Sequence, residues 1–329
     1  MMATTLTISV VIPTRNRREH LCRALRAIAA QTRPPDEVIV VDASDTPVEQ
    51  HDLASQYAAS PVRCVRTGAS VCAQRNAGIA VAHGSLVFLC DDDIEVPPAY
   101  LETISRHFET HPDCGAVSGV VLEADDSGGF TDGISAPKPR ALVWSFLFQL
   151  TVWADLDALR LPPMQSLVLS PILRWYRARG NTFTLAGWPL VTQVSGTSFR
   201  TAVYGLGAAV VRREWLLASP FDENLDAHGI GDNYGVALGF PGTTPVTVLP
   251  ALQVLHHRAR ENRLARAEAH ERRIIALRHL RRVHGMYTPA MRRWLLWSIF
   301  GNMLRFALHG DAASFRAAAR AFRSIVARK

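Results

Sequence analysis

Residues 8–13 read ISVVIP, an apolar run with no polar alternation beyond Ser9. A strand with that composition needs cover on both faces, and parallel sheets packed between helices supply it. A second such run, EVIVV at 37–41, ends at Asp42. Between the two, Leu21, Leu25 and Ile28 recur at helical spacing across 17–31, until Arg33-Pro34-Pro35 stops the helix. A short strand over 62–66, a helix over 71–82, a turn at Gly84-Ser85 and the run LVFL at 86–89 continue the alternation. The expected fold is α/β, a doubly wound, Rossmann-like, mostly parallel sheet with helices on both faces. In such sheets ligands bind beyond the carboxyl ends of the strands.

Three strand ends carry polar clusters: Pro13-Thr14-Arg15-Asn16-Arg17, Asp42-Ala43-Ser44-Asp45 and Asp91-Asp92-Asp93. A lone Asp there is usually a turn or helix cap. Three clusters at one sheet edge predict a site. Three adjacent carboxylates repel unless a cation or proton offsets them, and Mg²⁺ or Mn²⁺ suits carboxylate oxygens that share a nucleotide phosphate. In extended backbone Asp91 and Asp93 point the same way and Asp92 elsewhere. The competing reading is a solvated acidic loop. Asp42 and Asp45 are placed to accept from a base or ribose, and Arg75 lies on the helix beginning near Val71. With neither GxGxxG after the first strand nor GxxxxGK[ST], a nicotinamide dinucleotide site and a P-loop are not expected.

Five scattered cysteines without a CxxC pair argue against a disulfide scaffold or a zinc knuckle. Charge is uneven along the chain. Residues 253–329 hold 17 Lys and Arg against 4 Asp and Glu, a net +13, while the remainder holds 19 against 25. That split predicts an anionic partner for the C-terminal part, either a membrane surface or nucleic acid. Nearly all the cations are arginine, which suits phosphate; a codon-driven preference would look the same. No nucleic-acid-binding motif is visible, so nucleic acid is not the expected partner.

The pattern breaks down over 125–194, read as an insertion or lid, and resumes with a Gly turn into a strand at 205–213. A strand at 246–249 leads to His256-His257, and the rest is basic and helical. The opening residues lack a signal-peptide pattern. No run of about 18 apolar residues suggests a membrane span. Within 294–308, Ser298, Asn302, Arg305 and His309 make one polar stripe among apolar faces, as in a helix packed on the domain or one lying on anionic lipid.

SVVIPTRNR at 9–17, EVIVVDASD at 37–45, QRNAG at 74–78 and LVFLCDDD at 86–93, followed by 205–213, Phe221-Asp222-Glu223 and 229–232, resemble family 2 inverting glycosyltransferases of the GT-A fold. The resemblance spans roughly residues 8–256. It implies a GT-A domain over 1–252, with a donor half at 1–124, an insertion at 125–194 and an acceptor half at 195–252, then a basic helical region at 253–329.

It further implies roles for single residues. Pro13, Thr14 and Arg15 line the nucleoside pocket, with Asp42 on the base, Asp45 nearby and Arg75 on the base or ribose side. Asp91 and Asp93 form the D-x-D motif, Asp92 beside them at the donor, and Asp93 is the direct ligand of Mn²⁺ or Mg²⁺. His256 or His257 completes the metal site, unless the tandem histidines cap a helix. Asp232 is the general base that takes the proton of the acceptor hydroxyl. Gly231 stands where the family usually has Glu, and Asp226 or Asp222 is the alternative to Asp232 as base. No QxxRW follows, which favours transfer of a single sugar.

The implied donor is a nucleotide diphosphate sugar, UDP-sugar first. The implied acceptor is a glycan or lipid-linked hydroxyl, reached from the cytoplasm with the arginine-rich part peripheral on the inner membrane face. Two alternatives stay open: an inactive nucleotide-sugar-binding membrane scaffold and a sugar nucleotidyltransferase.

Overall fold

The computed structural model describes residues 6–51, 53, 57, 59–124, 129–134, 136–258 and 264–327. The opening residues 1–5, and residues 125–128 where the insertion was expected to begin, lie outside the described residues. In chain order the strands are β1 (Ile8–Thr14), β2 (Glu37–Asp42), β3 (Val62–Arg66), β4 (Leu86–Leu89), β5 (Ile94–Glu95), β6 (Ala116–Ala124), β7 (Phe130–Thr131), β8 (Val152–Trp153), β9 (Leu190–Val191), β10 (Phe199–Thr201), β11 (Ala209–Arg212) and β12 (Val246–His256). The helices are α1 (Arg18–Ala29), α2 (Val71–Val81), α3 (Tyr100–Thr110), α4 (Pro139–Leu147), α5 (Pro163–Arg179), α6 (Arg213–Ala218), α7 (Asp232–Leu238), α8 (Arg266–Val283), α9 (Pro289–Leu308) and α10 (Ala312–Ala327).

The chain divides into two units. Residues 1–132 with 204–263 form the first, and 133–203 with 264–329 the second. In the first, the strands run β12-β6-β11-β4-β1-β2-β3, with β5 on β12 and β7 on β6. β1 pairs in parallel with β2 and β4, β2 with β3, and β6 with β12. β11 is antiparallel to both its neighbours. This is the mixed α/β sheet that the apolar runs predict, and the two-faced cover follows from the alternation of β1. Ile8, Val10 and Ile12 share a core with Leu21, Leu25 and Ile28 of α1 and with Leu101, Ile104 and Phe108 of α3. Val11 points to the other face, where α2 lies so close that a Cβ on Gly78 would fall 2.4 Å from its Cγ1.

β12 is longer than the strand expected at 246–249. Its pairing with β6 runs to Leu249 opposite Gly119 and resumes at Gln253 opposite Val120. Pro250 sits at the break, where it has no N–H to donate to a ladder. Gly119 accommodates the bulge: a Cβ there would meet the Leu252 carbonyl at 2.4 Å.

In the second unit α10 packs on both α8 and α9. Leu142, Leu169, Leu173, Tyr176 and Leu190 centre a separate core. Asn181 ties its loops: Nδ2 donates to the carbonyls of Gln193 and Arg200, and Oδ1 accepts from the N–H groups of Thr192 and Gln193. The polar stripe of α9 faces inward at Ser298 and Asn302, which are 0% and 7% exposed. Among the described residues no helix is long and apolar enough to cross a membrane.

Gly78→Ala is expected to destabilise the protein by about 1–3 kcal/mol, the usual cost of overpacking. The helix must retreat from Val11 and from Val41 Cγ2, 3.0 Å from the same Cβ position. Urea unfolding monitored by circular dichroism checks it; an unchanged midpoint would mean that α2 is not seated so tightly.

Candidate functional site

The carboxyl ends of β1 and β2 are laced into one platform. Gln74, buried on α2, donates through Nε2 to the carbonyls of Thr14 (2.9 Å) and Val41 (2.8 Å). Asn16 takes a left-handed φ of 56°, a conformation Asn tolerates better than most residues. Its N–H donates to Ser44 Oγ, its side chain to Asp45 Oδ2, and the Asp45 N–H returns a bond to Asn16 Oδ1. Arg15 reaches to within 4.0 Å of Asp45, and both side chains are exposed. Pro13, Thr14, Arg15 and Asp45 are thus brought to one edge.

Asp42 differs. It is wholly buried, and its oxygens accept the N–H groups of Ser44 (2.8 Å) and Val48 (2.9 Å) and the guanidinium of Arg66. Burial works to raise this carboxyl, but the hydrogen bonds from Ser44, Val48 and Arg66 outweigh it and hold it below its ordinary 3.8. In this conformation Asp42 holds the loop that carries Asp45.

The extended backbone expected through Asp91-Asp92-Asp93 is instead a turn, in which the Ile94 N–H donates to the Asp91 carbonyl. The three side chains therefore diverge to three partners. Asp91 pairs with Arg75 at 2.5 Å, aided by Gly207, where any Cβ would collide with the Asp91 carboxylate. Asp92 turns inward to Thr14 Oγ1 (2.8 Å) and Arg17 Nη1 (3.1 Å). Burial pushes its carboxyl up to about 7, with Arg17 opposing. Asp93 meets His256 Nε2 at 3.2 Å and lies 4.0 Å from Arg17. His256 Nδ1 lies 3.9 Å from Glu123. The His257 side chain turns to Glu95 at 2.9 Å while its backbone N–H donates to the Asp93 carbonyl (3.0 Å), and it is the His256 ring that faces the Asp93 carboxylate.

Arg75 joins the acidic turn to the start of α7. It is 4% exposed, its Nη2 donates to Asp91 and its Nη1 to Asp232, and the guanidinium lies 5.1 Å from the Phe221 ring centroid. Burial opposes its charge, but the two carboxylates hold the proton all the more firmly. Burial raises Asp232, and Arg75 recovers only part of that shift. Gly231, before Asp232, has φ 98°, and Gly229 has φ 61°. Asn76 fixes the preceding loop by bonds to both backbone groups of Phe221 and to Glu223. Asp222 caps its own turn through the Asn224 N–H, and Asp226 lies 3.3 Å from His228.

Among the described residues no three His, Cys, Asp or Glu side chains gather at metal-ligating separation. The Asp93–His256 pair supplies two donors. That set fits Mg²⁺ or Mn²⁺, which commonly keeps water and takes phosphate oxygens beyond one or two protein groups. Arg17, Gln74, Asn76 and Phe221 are the residues that sequence reasoning left unassigned. Arg17 closes the PTRNR cluster, and Gln74 and Asn76 flank Arg75 in QRNAG, so the signal lay in the motifs already read.

Residues 9–154 match the family model for glycosyl transferase family 2. An uncharacterized glycosyltransferase, YwdF, of Bacillus subtilis is 36% identical over 116 residues, 34% of this chain and 43% of the relative. A glucosyl-dolichyl phosphate glucuronosyltransferase of Haloferax volcanii is 29% identical over 119 residues, 35% of this chain and 38% of the relative. The chain therefore spans about two fifths of the length of these relatives. A crystal structure of GalNAc-T7 with UDP, GalNAc and Mn²⁺ shares the fold, with a TM-score of 0.55 and 14% identity over 89% of this chain and 48% of that one.

Asp42→Asn is expected to cost about 1–3 kcal/mol at neutral pH, because buried donors lose their charged acceptor. A depressed carboxyl stabilises the fold above its unfolded value and loses that contribution as pH falls through the folded one. The gap in melting temperature between wild type and variant should therefore close below the ordinary 3.8. Thermal melts across acidic pH read it directly, and a gap that is constant with pH would refute the assignment.

Proposed function

We propose, from the match of residues 9–154 to the glycosyl transferase family 2 model, that the chain moves one sugar from a nucleotide diphosphate donor to an acceptor hydroxyl. The observation that supports this reading is the buried Asp91–Arg75–Asp232 bridge, which holds the Asp232 carboxylate beside the acidic turn at the strand ends.

The nucleoside half of the donor lies on the laced edge formed by Pro13, Thr14, Arg15 and Asp45. Uridine is the first choice of base, in keeping with the UDP of the GalNAc-T7 structure. Asp93 and His256 would hold Mn²⁺ or Mg²⁺. When bound, such a cation offsets the charge that builds on the departing diphosphate. Asp232 accepts the proton of the acceptor hydroxyl as its oxygen attacks the anomeric carbon and the bond to the diphosphate oxygen breaks. One displacement inverts the anomeric centre. Arg75 orients the base and favours its ionised form, while burial raises the carboxyl and makes it the stronger proton acceptor. Gly231 puts no side chain beside Asp232, so in this chain the base is positioned by Arg75 and the Asn233 N–H. The acceptor class is a glycan or a lipid-linked hydroxyl.

Asp232→Asn is expected to lower transfer by about 10²- to 10⁴-fold, the span of one general base, with nucleotide binding retained. Radiolabelled UDP-sugar turnover beside UDP titration separates the two effects; equal loss of both would make Asp232 a structural residue. UDP with Mn²⁺ should raise the melting temperature, and EDTA should remove the part of that shift that depends on the metal. Asp93→Asn and His256→Ala should each lose the same part. A metal-dependent shift that survives both substitutions would place the cation elsewhere.

A further inference from the structure

Helix α9 is built inside out. Ser298 and Asn302 face the interior with Leu295, Ile299 and Phe306, and the Ser298 hydroxyl accepts a 2.8 Å hydrogen bond from the buried Trp188 indole N–H. The outer side carries Trp294, Trp297, Phe300, Leu304 and Leu308, each 37–76% exposed. Their spacing of three, three, four and four residues puts them on one stripe.

The stripe is fixed in place. The Trp297 and Phe300 rings stack at 5.5 Å, and the Trp297 indole N–H donates to the Leu147 carbonyl at 2.8 Å. Gly301 leaves room beneath for the Phe148 ring: a Cβ there would lie 2.2 Å from it. Leu147, 52% exposed at the end of α4, extends the apolar surface. Arg293 and Arg305 are exposed on the same helix, and α9 contains no Asp or Glu.

We propose that this face docks on an anionic lipid bilayer, with the rings and leucines at the headgroup boundary and Arg293 and Arg305 on lipid phosphates. Three features favour a bilayer. Tryptophans present an apolar body with a polar tip, as interfacial residues do. The arginines are placed to add electrostatic attraction to anionic headgroups. A second copy of the chain is disfavoured, because two such faces would oppose arginine to arginine with no carboxylate on either helix. The inference concerns the second unit and does not depend on the transfer reaction.

The test is co-sedimentation of the full chain with phosphatidylcholine vesicles, with and without phosphatidylglycerol, beside tryptophan emission. The expected result is pelleting and a blue shift only with phosphatidylglycerol. Leu304→Asp with Leu308→Asp should lower partitioning at least about tenfold, since two leucines leave the apolar phase, and the melting temperature should not move. Arg293→Glu should weaken the dependence on anionic lipid. Absence of vesicle binding, or binding indifferent to the leucine pair, overturns the proposal. So does a solution dimer that the leucine variant splits, because the face would then be a protein interface.

Discussion

A guanidinium that is 4% exposed is the constraint on which the site depends. An arginine cannot shed its charge, and burying it alone costs several kcal/mol, so carboxylates must come to it. Asp91 lies 16 residues away in the chain and Asp232 lies 157 away, yet both reach Arg75. The glycine opposite Asp91, the left-handed glycines before Asp232 and the loop held by Asn76 are the backbone adjustments that let them do so. The same arginine that offsets the charge of the two acids also fixes their separation. Structural necessity and the proposed proton transfer rest here on one side chain.

The first third of the chain was legible because each of its elements has a local cause. The apolar runs of β1, β2 and β4 can satisfy themselves only between helices, and Ser70 caps α2 through the Ala73 N–H. What escaped was nonlocal. Nothing in AVVR at 209–212 announces a strand running against its neighbours, because an apolar run reads the same in either direction. Asp42 reads as a ligand-facing acid from its place at a strand end. Only the positions of Val48 and Arg66 show both its oxygens already bonded. The acidic turn misled for a similar reason: alternation presumes extended backbone, and the Asp91–Ile94 hydrogen bond removes that premise.

In α9 the spacing was legible but the orientation was not. A polar stripe on a helix ordinarily faces water, yet Ser298 answers the buried indole of Trp188, a demand from more than a hundred residues away. The inward hydroxyl shares its side of the helix with Leu295, Ile299 and Phe306, so one rotation about the helix axis buries all four.

The break in β12 has a consequence of parity. Leu249 lies opposite Gly119 and Gln253 opposite Val120, so three residues intervene where a regular ladder has none. Three is odd, and in a pleated strand an odd insertion exchanges up for down for every later side chain. Uninterrupted pairing would bring Gln253 rather than His256 opposite Glu123. His256 would then lie beyond that register, on the face away from Asp93. Pro250, the residue least able to belong to a strand, is what sets the phase of the histidine six positions on.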